Sequence, residues 1–188
     1  DSPPERDLEW SEEGIKATWK YLNKIYNFLK NKNFKFLVDD DLTIDSDEKY
    51  KFLIKETHEV IKNYTEDIKN YKFNSAVAKI REFSNKLFSY EKMPERIYNY
   101  TWSIFLRLIY VFTPHFSEEL CDLQKSNASI CNCDWPQHND DYLNKKNINL
   151  VVQVNGKKKT LLEVPINLEK KDVEVLLKKS QKTKDIFH

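Results

Sequence analysis

The sequence predicts a mainly α-helical protein, a bundle of about five helices followed by a small, incomplete α/β piece made of a β-hairpin and one helix. Two observations predict the bundle. Apolar residues recur at steps of three and four between residues 11 and 123, which is the helical period. The chain of 188 residues also has only two glycines, too few for the turns of an all-β fold. A third observation predicts the hairpin: apolar residues alternate with period two around Asn155-Gly156.

Each predicted helix is recognised by a start signal or an apolar stripe. Ser11, followed by two acids, is typical of a helix N-cap. Asp45 and Glu48 resemble a capping box before the second helix, and Pro94 suits the first turn of the fourth. The stripes, in helix order, are Ile15, Trp19, Leu22, Tyr26 and Leu29; Leu53, Val60, Ile61, Tyr64 and Ile68; Phe73, Ala76, Val77, Ile80, Phe83 and Leu87; Ile97, Thr101, Ile104, Leu108 and Val111; and Phe116 and Leu120 after Pro114.

The chain is expected to contain two domains joined by a linker. Residues 1–123 form the bundle. Residues 124–147 are the linker, rich in Asn, Asp, Ser and Lys, with Trp135-Pro136 as its only large apolar anchor. Residues 148–188 form the small α/β piece. The side chains predicted to be buried in the bundle are Trp19, Leu22, Val77, Ile80, Ile104 and Leu108.

The hairpin is predicted to turn through a three-residue loop, residues 155–157. A two-residue turn would place Val154 opposite Lys157 and Val152 opposite Lys159, which mixes valines with lysines on one face. In the three-residue register Gln153 and Lys159 point outward together. The core-facing side then comprises Ile148, Leu150, Val152, Val154, Thr160, Leu162 and Val164.

The last predicted helix begins at Asn167, which can act as its N-cap, and places Val173, Leu176 and Leu177 inward. Two strands and one helix are too few to close a sheet. We therefore expect this piece either to pack against another surface or to gain strands beyond His188.

Charge is distributed unevenly along the chain. Residues 145–188 contain eleven Lys and five acids, a net +6, whereas residues 1–144 contain 20 Lys and Arg against 25 acids, a net −5. Lys157, in the predicted loop, is followed directly by Lys158 and Lys159, so three lysines crowd the turn of the predicted hairpin. Lysines on a rigid hairpin suit phosphates, but a solvated lysine-rich tip has the same composition. Charge alone leaves both readings open.

No catalytic residue is predicted. The sequence has no glycine-rich phosphate loop, nucleophile elbow or H-E-x-x-H motif. Glu118 and Glu119 are neighbours that diverge by about 100° on a helix, so we read them as a solvated face. His58 and His115 are interpreted as packing or capping residues.

No metal site and no membrane segment are predicted. Cys131, Cys133 and His138, perhaps with Cys121, could form a zinc tetrad, but the second half of a usual zinc motif is missing. An odd number of cysteines and the lack of an apolar leader suggest a reducing, cytoplasmic compartment. No apolar run approaches the ~20 residues of a membrane span.

The order of five motifs resembles the C-terminal region of bacterial-type leucyl-tRNA synthetases. These motifs are SPPERDLEWS, HEVIKNYTEDIKNYKFNSAVAKIREFSNKL, RLIYVFTPHFSEEL, WP and VVQVNGK. The resemblance covers the chain apart from loops near residues 31–44 and 124–147. The TPHFSEEL-type segment is shared loosely with valyl and isoleucyl enzymes, whereas the first and last motifs together indicate leucine.

The resemblance implies an anticodon-binding-type helical domain joined to a small C-terminal tRNA-binding domain. It implies tRNA as partner, with contacts expected from Gln153, Asn155, Lys157, Lys158 and Lys159. Catalysis would belong to an upstream domain of the same polypeptide that uses ATP, so the chain itself would need no cofactor and would work as a monomer. The alternatives are the equivalent region of a valyl- or isoleucyl-type synthetase, or a helical protein-interaction module.

Two positions depart from the family pattern. Cys121 stands where the family usually has Trp, and Lys159 stands where Arg is usual. Lysine keeps the positive charge but lacks the bidentate fork of arginine, so a phosphate contact at this position would be a looser one.

Overall fold

The computed structural model describes residues 6–7, 10–38, 48–90, 92–123, 128–143, 147–154, 157–165 and 171–172. The described elements are α1 (Glu12–Asn31), α2 (Glu48–Lys69), α3 (Phe73–Ser89), α4 (Glu95–Ile109), α5 (Pro114–Asp122), a 3₁₀ helix (Ile130–Asn132), α6 (Asp140–Leu143), β1 (Asn147–Val154) and β2 (Lys157–Pro165). The predicted mainly helical architecture, with one hairpin after the helices, is confirmed. The capping box at Asp45 and nearly all of the predicted last helix lie outside the described residues.

The chain divides into two compact units, Asp1–Tyr142 and Leu143–His188. Much of the predicted linker, residues 128–142, belongs to the first unit, and several of its side chains pack against the helical core. A compact unit need not fold on its own. The predicted domain boundaries at residues 123 and 147 therefore stay predictions.

The start of α1 follows the prediction, whereas the burial of its first half does not. Ser11 is the N-cap, and its Oγ accepts a hydrogen bond from the Gly14 N–H at 3.2 Å. Ile25 and Leu29, in the second half, are buried. The predicted burial of Trp19 is wrong, because its side chain is 68% exposed. The described neighbours of α1 therefore cover only part of its apolar stripe.

An open apolar groove of about 560 Å³ lies along this first half of α1. Its exposed rim includes Trp10, Ile15 and Trp19. Val77 and Ile80 of α3 contribute to the opposite wall. An exposed apolar patch of this kind is typical of surfaces that meet another protein part.

The central element of the helical unit is α4, in which every side chain from Ile97 to Ile109 is buried. The sequence predicted a single stripe, and its members Ile104 and Leu108 are buried as expected. Val111 lies beyond the end of α4 and is exposed. A helix that is buried all round contains polar residues that need partners, and Asn99, Ser103 and Arg107 were not predicted to be inside.

Two polar side chains of α4 hold the segment that follows α1. Asn99 Oδ1 accepts a hydrogen bond from the Lys35 N–H at 3.0 Å. Ser103 Oγ accepts one from the Leu37 N–H at 2.8 Å. These bonds satisfy buried polar groups and fix the backbone of the segment between them.

Residues 128–142, which we call the strap, lie against α2, α4 and α5. The Trp135 ring stacks on Tyr64, with centroids 6.1 Å apart, and its Nε1–H donates to Thr65 Oγ1 at 2.8 Å. The guanidinium of Arg107 donates to the backbone carbonyl of Asp134. The predicted role of Trp135 as an apolar anchor is confirmed.

Glu118 fastens the other end of the strap, so the reading of this residue as a solvated side chain is wrong. Its carboxylate accepts hydrogen bonds from the Ser129 hydroxyl at 2.9 Å and from the backbone N–H groups of Ile130 and Cys131 at 3.2 and 2.9 Å. A carboxylate at the start of the 3₁₀ helix satisfies N–H groups that the short helix leaves open. Neighbouring Glu119 is exposed, as expected.

Among the helices that the structure describes, none combines the length and the apolar character that crossing a bilayer requires.

Candidate nucleic-acid interface

The hairpin, on which the predicted tRNA contacts lie, is an antiparallel pair of β1 and β2. Away from the turn its register is the predicted one, with Val152 opposite Thr160, Leu150 opposite Leu162 and Ile148 opposite Val164. Val151 is about half exposed and Val152 is partly buried, which agrees with alternating faces.

Close to the turn the predicted register is wrong. Val154 pairs with Lys157 and Gln153 pairs with Lys158, so two residues separate the strands instead of three. The register shifts between Val152 and Gln153, and Lys159 is the extra residue opposite that shift. Asn-Gly favours a two-residue connection, and a bulge absorbs one residue. The outer register is therefore preserved.

The predicted contact residues gather at one end of the hairpin. Gln153 is in the last two residues of β1, and Lys157, Lys158 and Lys159 are the first three residues of β2. Asn155 lies outside the described residues. A β-bulge increases the local twist of a strand and can re-aim a side chain. The role of these five residues in binding stays a prediction.

The cysteines do not form a metal site within the described residues, where no group of three or more His, Cys, Asp or Glu side chains is placed to hold an ion. Cys121 Sγ instead donates to the carbonyl of Ala128 at 3.1 Å. Burial raises the pKa of the Cys121 thiol to about 12. A thiol with this pKa is protonated at neutral pH and is therefore a poor metal ligand or nucleophile.

His58 has a structural position, as its interpretation as a packing residue implied. It is buried, and its ring stacks almost parallel on Tyr142 at 4.6 Å. Its Nδ1 accepts a hydrogen bond from the Asn139 N–H at 3.2 Å. The ring thus joins α2 to the end of the strap. His115 is exposed at the start of α5.

A basic groove of about 590 Å³, which sequence reasoning missed, lies where α1 ends. Among the described residues its lining includes the lysines Lys32, Lys35 and Lys92 and one acid, Glu95. The available signal was the short lysine-rich stretch KNKNFKF, residues 30–36, which begins in the last turn of α1. Lys92 is about 60 residues away in sequence, and only the fold brings it to the same groove.

Comparison with known proteins connects both units to tRNA ligases. A family model described as the anticodon-binding domain of tRNA ligase matches residues 51–175. The leucine–tRNA ligase of Orientia tsutsugamushi is 35% identical over 187 residues, which are 98% of this chain and 21% of that protein. The leucine–tRNA ligase of Ehrlichia ruminantium (strain Welgevonden) is also 35% identical, over 90% of this chain and 20% of its own length.

A solved structure has the same fold. It is a crystal structure of a LeuRS–tRNA–LeuAMS ternary complex from Agrobacterium radiobacter. The chain superposes on it with a TM-score of 0.67 and 24% identity, over 95% of this chain and 24% of that one. The chain therefore spans about a fifth of the length of the relatives it matches.

Proposed function

The chain belongs to the family of anticodon-binding domains of tRNA ligases, and from this membership we propose that it is the tRNA-binding part of a leucine–tRNA ligase. The match of the family model over residues 51–175 supports the proposal most strongly, because it includes α2 to α5, the strap and the hairpin. The relatives named above are leucine–tRNA ligases, which favours leucine over a valyl- or isoleucyl-type enzyme.

In this proposal the hairpin contacts the tRNA backbone. Lys157, Lys158 and Lys159 act as point charges for phosphates, and Gln153 and Asn155 offer neutral hydrogen-bonding groups beside them. Phosphate contacts position an RNA without reading its sequence. Lysine at residue 159 lacks the fork of arginine, so the contact there is a loose one. The net +6 of residues 145–188 supports an anionic partner.

The ligation chemistry is assigned to the part of the relatives' length that this chain does not span. That part would use ATP to activate leucine and would transfer it to the tRNA, in the cytoplasm and as a monomer. The chain holds the tRNA body while this happens. No residue of the chain is given a catalytic role or a cofactor in this proposal.

The apolar groove along α1 is the basis for a second proposed partner, which is the catalytic part of the same polypeptide. Trp10 and Trp19 expose 77% and 68% of their surface at this groove. Large exposed aromatic side chains are typical anchors of protein interfaces. This groove is also the observation that favours the alternative function, a protein-interaction module without an RNA role.

Direct binding distinguishes the two functions. The 188-residue chain is titrated into a labelled leucine-tRNA transcript at about 50 mM salt, where phosphate contacts are strong. We expect saturable binding that unlabelled tRNA displaces and that weakens steeply at about 200 mM salt. Absence of binding at low salt, from a chain with helical circular dichroism, would contradict the proposal and favour the interaction module.

A further inference from the structure

We infer that the basic groove at the end of α1 binds backbone phosphates of the same tRNA, which gives the helical unit its own RNA contact. This inference rests on the proposed function and adds a second binding surface to it. It concerns Lys32 and Lys92 above all, two exposed lysines of the groove that follow α1 and α3, respectively.

The charge of the groove differs from that of the chain around it. Its three lysines face one acid, and the Lys35 ammonium lies 2.8 Å from the Glu95 carboxylate. Among the described lining residues this pair balances itself, so Lys32 and Lys92 supply the excess positive charge. Residues 1–144 as a whole have a net charge of −5. A positive concave site on an acidic surface concentrates the attraction for a polyanion in one place.

The backbone that follows α1, from which groove lysines project, is held in place. After α1 ends, Asn33 adopts a left-handed conformation with a φ of 51°. The next residues are held on α4 by the hydrogen bonds of Lys35 N–H and Leu37 N–H described above. Little backbone entropy is therefore lost when a ligand binds, which suits a preformed anion site.

Aromatic residues form the wall behind the ammonium groups. The Lys32 Nζ lies 5.9 Å from the centroid of the Phe28 ring, a distance at which the ring attracts a cation. Tyr98 also lines the groove and is 9% exposed. Within the described part of the chain its hydroxyl is buried without a hydrogen-bond partner. Burial raises the pKa of this phenol, so it remains a hydrogen-bond donor at neutral pH.

The combination of lysines and a concave groove suits phosphodiester oxygens. Phosphate contacts by lysine do not require a particular base. A groove that binds an acidic protein segment would also be positively charged, but its lysines would not contribute to tRNA binding.

The experiment compares two double variants of the 188-residue chain. Lys32→Gln with Lys92→Gln removes two charges from the groove. Lys69→Gln with Lys72→Gln removes two charges from exposed lysines near the turn between α2 and α3, which do not line the groove. Binding of the leucine-tRNA transcript is measured at several salt concentrations for both variants and for the original chain.

We expect the groove variant to flatten the plot of log affinity against log salt by about 1.5, because each neutralised phosphate contributes about 0.7 to 0.9. The control variant should keep the original slope. Equal slopes for all three proteins would overturn the inference while leaving the proposed function standing, since the original chain still binds. An equal loss in both variants would also overturn it, because the effect would be one of net charge. Failure of the original chain to bind tRNA would contradict the proposed function itself.

Discussion

The indole N–H of Trp135 donates a hydrogen bond of 2.8 Å to the hydroxyl of Thr65. That hydroxyl in turn donates to the Ile61 carbonyl within α2 at 2.6 Å. The strap has little regular structure of its own, and this chain of two bonds joins it to a long helix. Because partly buried hydrogen bonds of this kind are costly to leave unmade, the pair helps to fix where the strap lies.

Removing the Trp135 to Thr65 bond should weaken the helical unit measurably. Trp135→Phe keeps an aromatic ring on Tyr64 but loses the N–H, and we expect a loss of about 0.5–1.5 kcal/mol in the free energy of unfolding. Thr65→Val tests the other partner. In a double-mutant cycle measured by urea denaturation the two changes should be less than additive. Strict additivity would mean that the bond contributes nothing.

Truncation of Leu108 should destabilise the helical unit far more than truncation of Trp19. Leu108 is fully buried in α4, so Leu108→Ala should cost roughly 2–5 kcal/mol through lost burial and a cavity. Trp19 is mostly exposed, and Trp19→Ala should stay within about 0.5 kcal/mol. Chemical denaturation followed by circular dichroism measures both. A large loss for Trp19 with little change for Leu108 would reverse the assignment of the core.

The stability of the helical unit should fall as the pH rises above about 9, in part because of Cys121. Burial raises the pKa of this thiol to about 12, whereas in an unfolded chain it is about 8.5. Between these values the unfolded chain has already lost the proton that the folded chain keeps. The stabilising contribution is therefore complete below about pH 8.5 and is lost progressively toward pH 12.

Cys121→Ala should make this alkaline decline shallower. Unfolding by urea at pH 8 and at pH 10 gives the decline for each protein. The original chain is the reference, and Cys121→Ala should lose less stability between the two pH values. Identical declines in the variant and in the original chain would show that Cys121 does not titrate differently on unfolding.

The chain alone should catalyse no step of leucine activation. Given ATP, leucine and tRNA, it should form neither leucyl-adenylate nor charged tRNA, because the sequence contains no nucleotide-binding motif. Leucine-dependent pyrophosphate exchange is the sensitive assay. Exchange above that of a heat-denatured sample would assign chemistry to this chain.

Sequence periodicity predicted the positions of the helices well, but it predicted the extent of their burial less well. Ser11 and the stripes of α2 and α3 depend on local spacing, which the sequence contains. The complete burial of α4 and the exposure of Trp19 depend on how many neighbours each helix meets. A stripe shows which face of a helix is most apolar, but it does not show how much of the helix is covered.

The same limit applies to the candidate interface. The hairpin and its outer register followed from alternation, but the bulge at Lys159 was missed because loop length alone permitted either connection. Glu118 was misread because its partners, the N–H groups of the strap, lie about a dozen residues away. The basic groove joins lysines about 60 residues apart, and only the fold makes them neighbours.

The most direct test of the account is the salt dependence of tRNA binding after Lys157, Lys158 and Lys159 are replaced together by Ala. A matched triple variant replaces the exposed residues Lys16, Lys69 and Lys72. We predict that the hairpin variant flattens the slope of log affinity against log salt by about two, since each lost phosphate contact removes about 0.7 to 0.9. Leucine tRNA and a non-cognate tRNA should be weakened alike, and the matched variant should keep its slope. An unchanged slope in the hairpin variant would contradict the account, because these lysines would then lie outside the interface.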